Sequence, residues 1–512
     1  MTIARCRAWR LAAPLNVALV AFVLFFAGLR IARSRTVFYY TEGPVLGSLA
    51  ALESRGDLTD LYPSDGWAEP PVVLTLYPPV HFLFAAAVDG WLGTDGSFVG
   101  LRMISAAAFL CVLGLLVAQT IRSRAPPAWI LALSAAVLLT PGVYRLAAAA
   151  QVDVLALAFT WAGVTAALDA RDGRLRAGAL PLALAATAFF FAFFSKQSFV
   201  AAPAALACCL LLARRVRAAA IFSISLAAAA LLGMFALNAV TSGGYLANTL
   251  GALTGSSGWS NLAATLWSSR PLQWLPVAAV VLFISRGRLR LGFVEIYLMI
   301  STALHTAAML KTGSSVNYLM EPAFALLLLA AVRGGPVVEP GARDPIGAAQ
   351  GHRTKQQLAW LAACALGLSA TAAAVHEVPL LRAWMASAGT ARVAAFEGYP
   401  LVDPLFIPAV LQRDGRPWLN DPFAFGALEE TGQWDPSRLV SDLEHGRVPF
   451  VLTPVDLGRG PAPEGRGTRE LVMAYFWRSP RIWKAVTGSY RPMSTGRVKV
   501  WLPKEGEEAG PP

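Results

Sequence analysis

Apolar runs of membrane-crossing length recur between Leu15 and Ala374, and short arginine-bearing loops separate them. A bilayer core about 30 Å thick takes a helix of about 20 residues to cross. Inside that core every backbone N–H and C=O must find its partner within the protein, which leaves helices for runs of this kind. The candidate spans are Ala12–Leu29, Leu101–Gln119, Ala128–Val143, Val154–Leu168, Leu180–Phe194, Val200–Leu212, Ala218–Leu237, Leu272–Ile284, Leu291–Leu310, Ala323–Val332 with an upstream extension, and Leu358–Ala374. Of 512 residues 56% are hydrophobic and 14% charged, a balance foreign to soluble domains. The expected fold is an all-α polytopic membrane protein of about eleven transmembrane helices.

The basic residues orient these spans. Val80–Leu92 is apolar but short, and Asp89 interrupts it. If it does not cross and the N-terminus, with Arg5, Arg7 and Arg10, lies inside, the following arginine clusters all fall in inner loops. These are Arg122 and Arg124; Arg171, Arg174 and Arg176; Arg214, Arg215 and Arg217; Arg286, Arg288 and Arg290; and Arg333, Arg343, Arg353 and Lys355. If Val80–Leu92 crosses, they all move outside. The first arrangement is therefore expected, with Val80–Leu92 in the outer interface. Its exception is Arg30, Arg33 and Arg35 at the outer end of the first span, which suit either snorkelling to lipid headgroups or contact with an anionic substrate. The net charge of +12 is thus accounted for by membrane orientation, and no nucleic-acid partner is expected. The first helix shows no small-residue cleavage site and is read as uncleaved.

Residues 1–376 form the transmembrane part of this expectation and residues 377–512 a small extracytoplasmic α/β domain. The tail is more polar, rich in proline and glycine, and has no cysteine and hence no disulfide. Asp435 reads as a cap ahead of an amphipathic helix, with short strands at Pro449–Thr453 and Arg497–Leu502. The segment Asn238–Arg270, with Trp259 and Trp267, suits an amphipathic stretch on the outer leaflet.

On this topology, polar groups distant in sequence meet at the outer face. Glu42 follows the first span, and an acid at the edge of so apolar a protein points to chemistry. Tyr77 and His81 belong to a Tyr-Pro-Pro element, Arg145 and Asp153 to the junction of the third and fourth spans, and Lys196 and Gln197 to the turn in FFSKQSF. Asp153 equally suits a helix N-terminus, where the dipole favours an anion. Lys196 stands in a phenylalanine cluster; an ammonium costs about 2.5–3.5 kcal/mol at mid-membrane depth and less near an interface, so it either snorkels or binds a phosphate. Asn317, Tyr318 and Glu321 precede or flank Pro322; Asn317 and Glu321, four apart, share a helix side. They suit sugar hydroxyls or the capping of a buried helix junction. His81 and His305 read as hydrogen-bonded helix residues, and no Cys/His spacing suggests zinc.

The order of these motifs resembles the GT-C superfamily of integral-membrane glycosyltransferases, in particular the branch of protein O-mannosyltransferases and the aminoarabinose transferase of lipid A. The motifs are the first-loop acid, Tyr77-Pro-Pro, Asp153, Phe-Ser-Lys196-Gln197, and Gly-Ser-Ser-Val-Asn317-Tyr318-Leu-Met-Glu321-Pro. The resemblance covers about Ala12 to Val332 and, more loosely, the tail. It implies a multi-pass protein of the cytoplasmic membrane that takes a sugar from a polyprenyl-phosphate donor at the outer face. The sugar passes with inversion to a lipid, glycan or protein hydroxyl. It also implies Glu42 as base and Asp153 as a second active-site carboxylate. Two departures stand out. Glu42 is flanked by Thr41 and Gly43 where many relatives have an acidic pair, and Gln151-Val152-Asp153 replaces Arg-Pro-Asp. They leave the acceptor open, and with it a divalent cation.

The residues fit such chemistry independently of the resemblance. An acceptor hydroxyl loses a proton as it attacks, and a positioned carboxylate supplies about 10²–10⁴-fold for that step. The departing lipid phosphate calls for a fixed cation, Lys196 or Arg145. A transporter or flippase of lipid-linked sugars is the alternative. It would place charges in the middle of spans related as two halves, whereas here most lie near span ends. A noncatalytic scaffold would leave the scattered motifs without a common reason.

Overall fold

The computed structural model describes residues 27–33, 41–65, 67–123, 149–168, 178–250, 292–310, 316–333, 397–413, 415–453, 476–493 and 499–504, with a few single positions between. The expected spans at Ala128–Val143, Leu272–Ile284 and Leu358–Ala374, most of Ala12–Leu29, and Arg145 lie outside them.

The first loop opens with α1 (Glu42–Arg55), which carries its acid in the first turn and ends at Gly56 in the left-handed conformation. A single helical turn (Leu58–Leu61) and a longer irregular stretch lead to α2 (Val80–Leu92), started by Pro79 and stopped by Gly93 with φ of 65°. Thirteen residues rise about 20 Å, short of a bilayer core. Asp89, whose carboxylate accepts from the Gly100 N–H at 2.8 Å, joins the end of α2 to the start of α3 (Val99–Arg122). The remaining apolar helices are α4 (Asp153–Ala167), α5 (Ala179–Ser195), α6 (Ala201–Leu212), α7 (Val216–Val240), α9 (Phe293–Ala308) and α10 (Met320–Arg333), with the short α8 (Gly244–Thr249) after α7. Seven of the expected spans therefore appear as helices. Two of these, α3 and α7, are long and apolar enough by themselves to cross a membrane.

Helices α3, α4, α5, α6, α9 and α10 share one hydrophobic core around Trp161, Phe189 and Phe324. α4 and α5 approach closely because Gly163 leaves room for the Phe189 ring; a Cβ there would lie 2.6 Å from it. Pro322 sits in the first turn of α10, where its missing N–H costs nothing.

α8 differs from the expected leaflet segment. Tyr245, Asn248 and Thr249 are buried, and Asn248 bonds the Thr75 N–H (3.2 Å) and the Pro63 carbonyl (3.1 Å). Its glycine start explains the packing, since a Cβ on Gly244 would strike the Tyr62 carbonyl at 2.0 Å.

The tail holds a four-stranded sheet in the order β1-β2-β4-β3: β1 (Leu401–Val402), β2 (Val451–Thr453), β3 (Tyr490–Pro492) and β4 (Lys499–Pro503). β1 runs parallel to β2, and the other pairs are antiparallel. Helices α11 (Pro422–Glu430), α12 (Ser437–Glu444) and α13 (Pro480–Ser489) accompany it. As the sequence suggests, Asp435 accepts from the Ser437 N–H ahead of α12, at 3.1 Å. The first loop takes part in this unit: Val72 and Leu74 are members of the tail's hydrophobic core, and Val72 bridges Leu419 in parallel.

Candidate active site

Glu42, the first residue of α1, has no exposed surface. Arg102 on α3 grips it with Nη2 3.0 Å from Oε2 and Nε 3.4 Å from Oε1. The same guanidinium lies 4.3 Å over the Phe98 ring and donates from Nη1 to the carbonyls of Arg30 (2.9 Å) and Arg33 (3.0 Å). One cation thus neutralises the acid and caps the carbonyl end of the helix over residues 27–32, where the dipole is negative. Oε1 also accepts the Ala150 N–H at 2.8 Å.

That last bond links the two expected carboxylates. Ala150 and Gln151 lead directly into α4. The Gln151 side-chain amide meets the Thr41 hydroxyl, and the Ser105 hydroxyl donates to the Gln151 carbonyl at 3.2 Å. Asp153 then opens α4, buried and in contact with the Lys196 ammonium. Lys196 ends α5 in extended backbone, with its Nζ 4.9 Å from the Tyr318 ring centre and 5.9 Å from that of Tyr77. Two acids and two cations, each acid with its own partner, flank the segment from Ala150 to Asp153. Buried pairs of this kind stabilise little in themselves, but removing one partner is costly.

The Tyr-Pro-Pro element is held from both sides. Gln197 donates to the Leu76 carbonyl at 3.0 Å, and the Tyr62 hydroxyl donates to that of Tyr77 at 2.6 Å. His81 corrects the sequence reading. It is fully buried, close enough to feel the Asp153 charge, yet neither ring nitrogen has a hydrogen-bond partner among the described residues. Gln197 Oε1 and both Glu321 carboxylate oxygens share this state among the described residues. Asn317 and Tyr318 are half-buried on a 3₁₀ turn, so Asn317 is not on the same regular helix as Glu321. Glu321 lies buried at the α9–α10 junction, 3.3 Å from Nε2 of His305. The other nitrogen of that ring lies 2.9 Å from the Ser301 carbonyl, which can only accept, so Nδ1 carries a hydrogen. A proton must then lie between Nε2 and Glu321 for the contact to be favourable.

The site thus joins Glu42, Tyr77, His81, Asp153, Lys196, Gln197 and Tyr318, with Glu321 behind His305. Sequence reasoning missed Arg102, an arginine four residues into a 24-residue apolar helix, where an unpaired charge would be expensive. It also set aside His305. From the tail, Asp421 caps α11 through the Ala424 N–H (3.1 Å) and lies near enough to act on the Tyr77 phenol. Burial pushes its carboxyl up to about 6. Among the described residues no group of three or more His, Cys, Asp or Glu side chains is placed to hold a metal ion.

No family model matches the chain, and no curated protein matches it. Among solved structures it is similar to ArnT from Cupriavidus metallidurans bound to undecaprenyl phosphate, with 14% identity over 97% of this chain and 99% of that one, at a TM-score of 0.58. The apo state of the same protein gives 13% identity, coverage of 96% and 98%, and the same TM-score. The chain has the fold of these ArnT structures over nearly its whole length.

Proposed function

We propose that this protein transfers a sugar from a polyprenyl-phosphate donor to a hydroxyl acceptor at the outer face of the cytoplasmic membrane, with inversion. The observation that carries the reading is the Asp153–Lys196 pair beneath the rings of Tyr77 and Tyr318. It is a buried cation held at a helix end, beside aromatic surface suited to an isoprenoid chain. ArnT, which shares the fold, binds undecaprenyl phosphate.

In this reading the donor phosphate takes Lys196 as its counter-ion, and the leaving charge is stabilised by a group already in place. Glu42 takes the acceptor proton, while Arg102 fixes its orientation as the third member of a triad fixes a base. Asp153 and His81 orient hydroxyls of the sugar or acceptor, and Asn317 and Glu321 bound the site on the α10 side. Arg145 remains a proposed second phosphate ligand. A divalent cation, if one is used, would draw on Asp153. No strong general acid is required, because a lipid phosphate leaves readily.

The test is undecaprenyl phosphate binding to purified Lys196→Ala, with thermal unfolding measured on the same sample. Affinity is expected to fall on the order of tenfold or more, the scale of one charge-assisted contact. Lys196→Arg should restore it only in part, since a planar fork replaces a point charge. Wild-type affinity in Lys196→Ala would remove the phosphate role.

A further inference from the structure

One tail side chain hydrogen-bonds the helix that begins at Glu42 at two places. Asn420 is 2% exposed and lies where the tail crosses the first loop. The Trp418 carbonyl accepts the Val72 N–H at 2.8 Å, and the Asn420 N–H donates to the Val72 carbonyl at 3.2 Å. The Asn420 side chain accepts the Leu74 N–H at 2.9 Å. Its amide nitrogen lies 3.1 Å from the Ser48 hydroxyl and 3.3 Å from the carbonyls of Pro44 and Leu74. Pro44 and Ser48 belong to the first two turns of α1, the helix that begins at Glu42.

The fit around that side chain is close. A Cβ on Gly47 would come 2.8 Å from the Asn420 Cβ, and one on Gly43 would come 2.2 Å from the Pro404 carbonyl oxygen. Both glycines lie on the α1 face turned to the tail, so that face is shaped for backbone-distance contact. The network continues inward: the Thr75 hydroxyl donates to Ser48 at 2.9 Å, and the Thr75 N–H donates to Asn248 of α8 at 3.2 Å.

We propose that Asn420 is a positioning residue for Glu42: it fixes the start of α1 against the tail, so that the carboxylate meets Arg102 and the acceptor in the productive arrangement. This rests on the sugar-transfer reading, in which Glu42 is the base. A base displaced by about 1 Å loses on the order of a hundredfold in rate, and a helix held at its first two turns transmits such a shift directly. The tail is then a working part of the site.

Asn420→Asp separates the two sides of the latch. It keeps an acceptor for the Leu74 N–H but removes the amide hydrogens that reach Pro44, Ser48 and the Leu74 carbonyl. The full-length variant in lipid nanodiscs is compared with wild type and Glu42→Gln by three measurements. These are hydrogen exchange of the α1 amides, binding of undecaprenyl phosphate, and formation in cells of the envelope product that the wild type makes. The expected result is faster exchange in α1, product formation down roughly tenfold to a hundredfold, and phosphate binding within about twofold of wild type. Wild-type exchange, or faster exchange with undiminished product, overturns the proposal. If exchange rises through the whole tail, Ser48→Ala takes the variant's place, since it removes one Asn420 partner without adding charge, and wild-type values there overturn the proposal equally. An active Glu42→Gln protein sinks the sugar-transfer reading and the catalytic half of this inference with it. The α1 exchange rate then still decides whether Asn420 fixes the helix.

Discussion

Arg102 holds more of the site together than any other single side chain, touching Glu42, the Phe98 ring and two backbone carbonyls at once. Arg102→Ala would strand a fully buried carboxylate, and breaking a buried pair from one side costs about 3–5 kcal/mol. A large drop in melting temperature is expected, with partial recovery in the double variant Arg102→Ala/Glu42→Gln, where no charge is left unpaired. Equal melting of the single and double variants would show that the pair is not what Arg102 supports. Glu42, Asp153 and Lys196 were legible in the sequence because a charge in apolar surroundings needs a reason. Arg102 obeyed the same rule but lies near the outer end of its span, where snorkelling to headgroups accounts for a basic residue as readily. That neither His81 nitrogen has a partner among the described residues was not legible, since nothing local to the Tyr-Pro-Pro element tells whether a ring finds partners in the fold.

Elements with a strong local signal came through with nearly correct bounds: α3 to α7, α9 and α10 by apolar length, and α12 by its amphipathic spacing, although its N-cap is Pro436 and Asp435 stands one residue earlier. β2 and β4 were readable as runs of alternating or β-branched residues. β1 has two residues and β3 three, too few for any period to register. The crossing of Val72 with Leu419 joins segments more than 300 positions apart and leaves no local mark. The tail also buries two acids, Asp403 and Asp421. Burial raises Asp403 to about 7 and Asp421 to about 6, against the backbone N–H bonds that favour their charged forms. In the unfolded chain both titrate near about 3.9. Between about pH 4 and 7 the folded tail therefore holds protons that the unfolded chain does not, and stability falls as pH rises through that window, levelling above it. Unfolding of the tail, followed by tryptophan fluorescence at pH 5 and pH 8, should show the higher stability at pH 5. Asp403→Asn should flatten the dependence. A tail more stable at pH 8 would mean that these carboxyls are ionised in the fold.

At the scale of the molecule, α2 begins three residues after Tyr77, whose ring centre lies 5.9 Å from the Lys196 ammonium, and Asp89 near its other end holds the N–H of Gly100, two residues before Arg102. Thirteen residues are too few to cross a bilayer core, and the arginine loops call for α2 in the outer interface. The account therefore expects residues 397–504 outside the cytoplasmic membrane. Cysteine labelling at Met493, an exposed tail position, with a membrane-impermeant reagent on intact spheroplasts, should succeed without lysis; labelling only after lysis would place the tail inside.

The central claim is transfer of a sugar from a lipid-phosphate donor by the site around Glu42. It is tested most directly by mass spectrometry of envelope lipids, glycans and proteins from three strains: wild type, deletion, and Glu42→Gln expressed at wild-type level. The account predicts that one sugar-sized mass increment present in the wild type is missing from both of the others, with polyprenyl-phosphate sugar accumulating in each. An envelope in Glu42→Gln indistinguishable from wild type, alongside a changed envelope in the deletion strain, would contradict it.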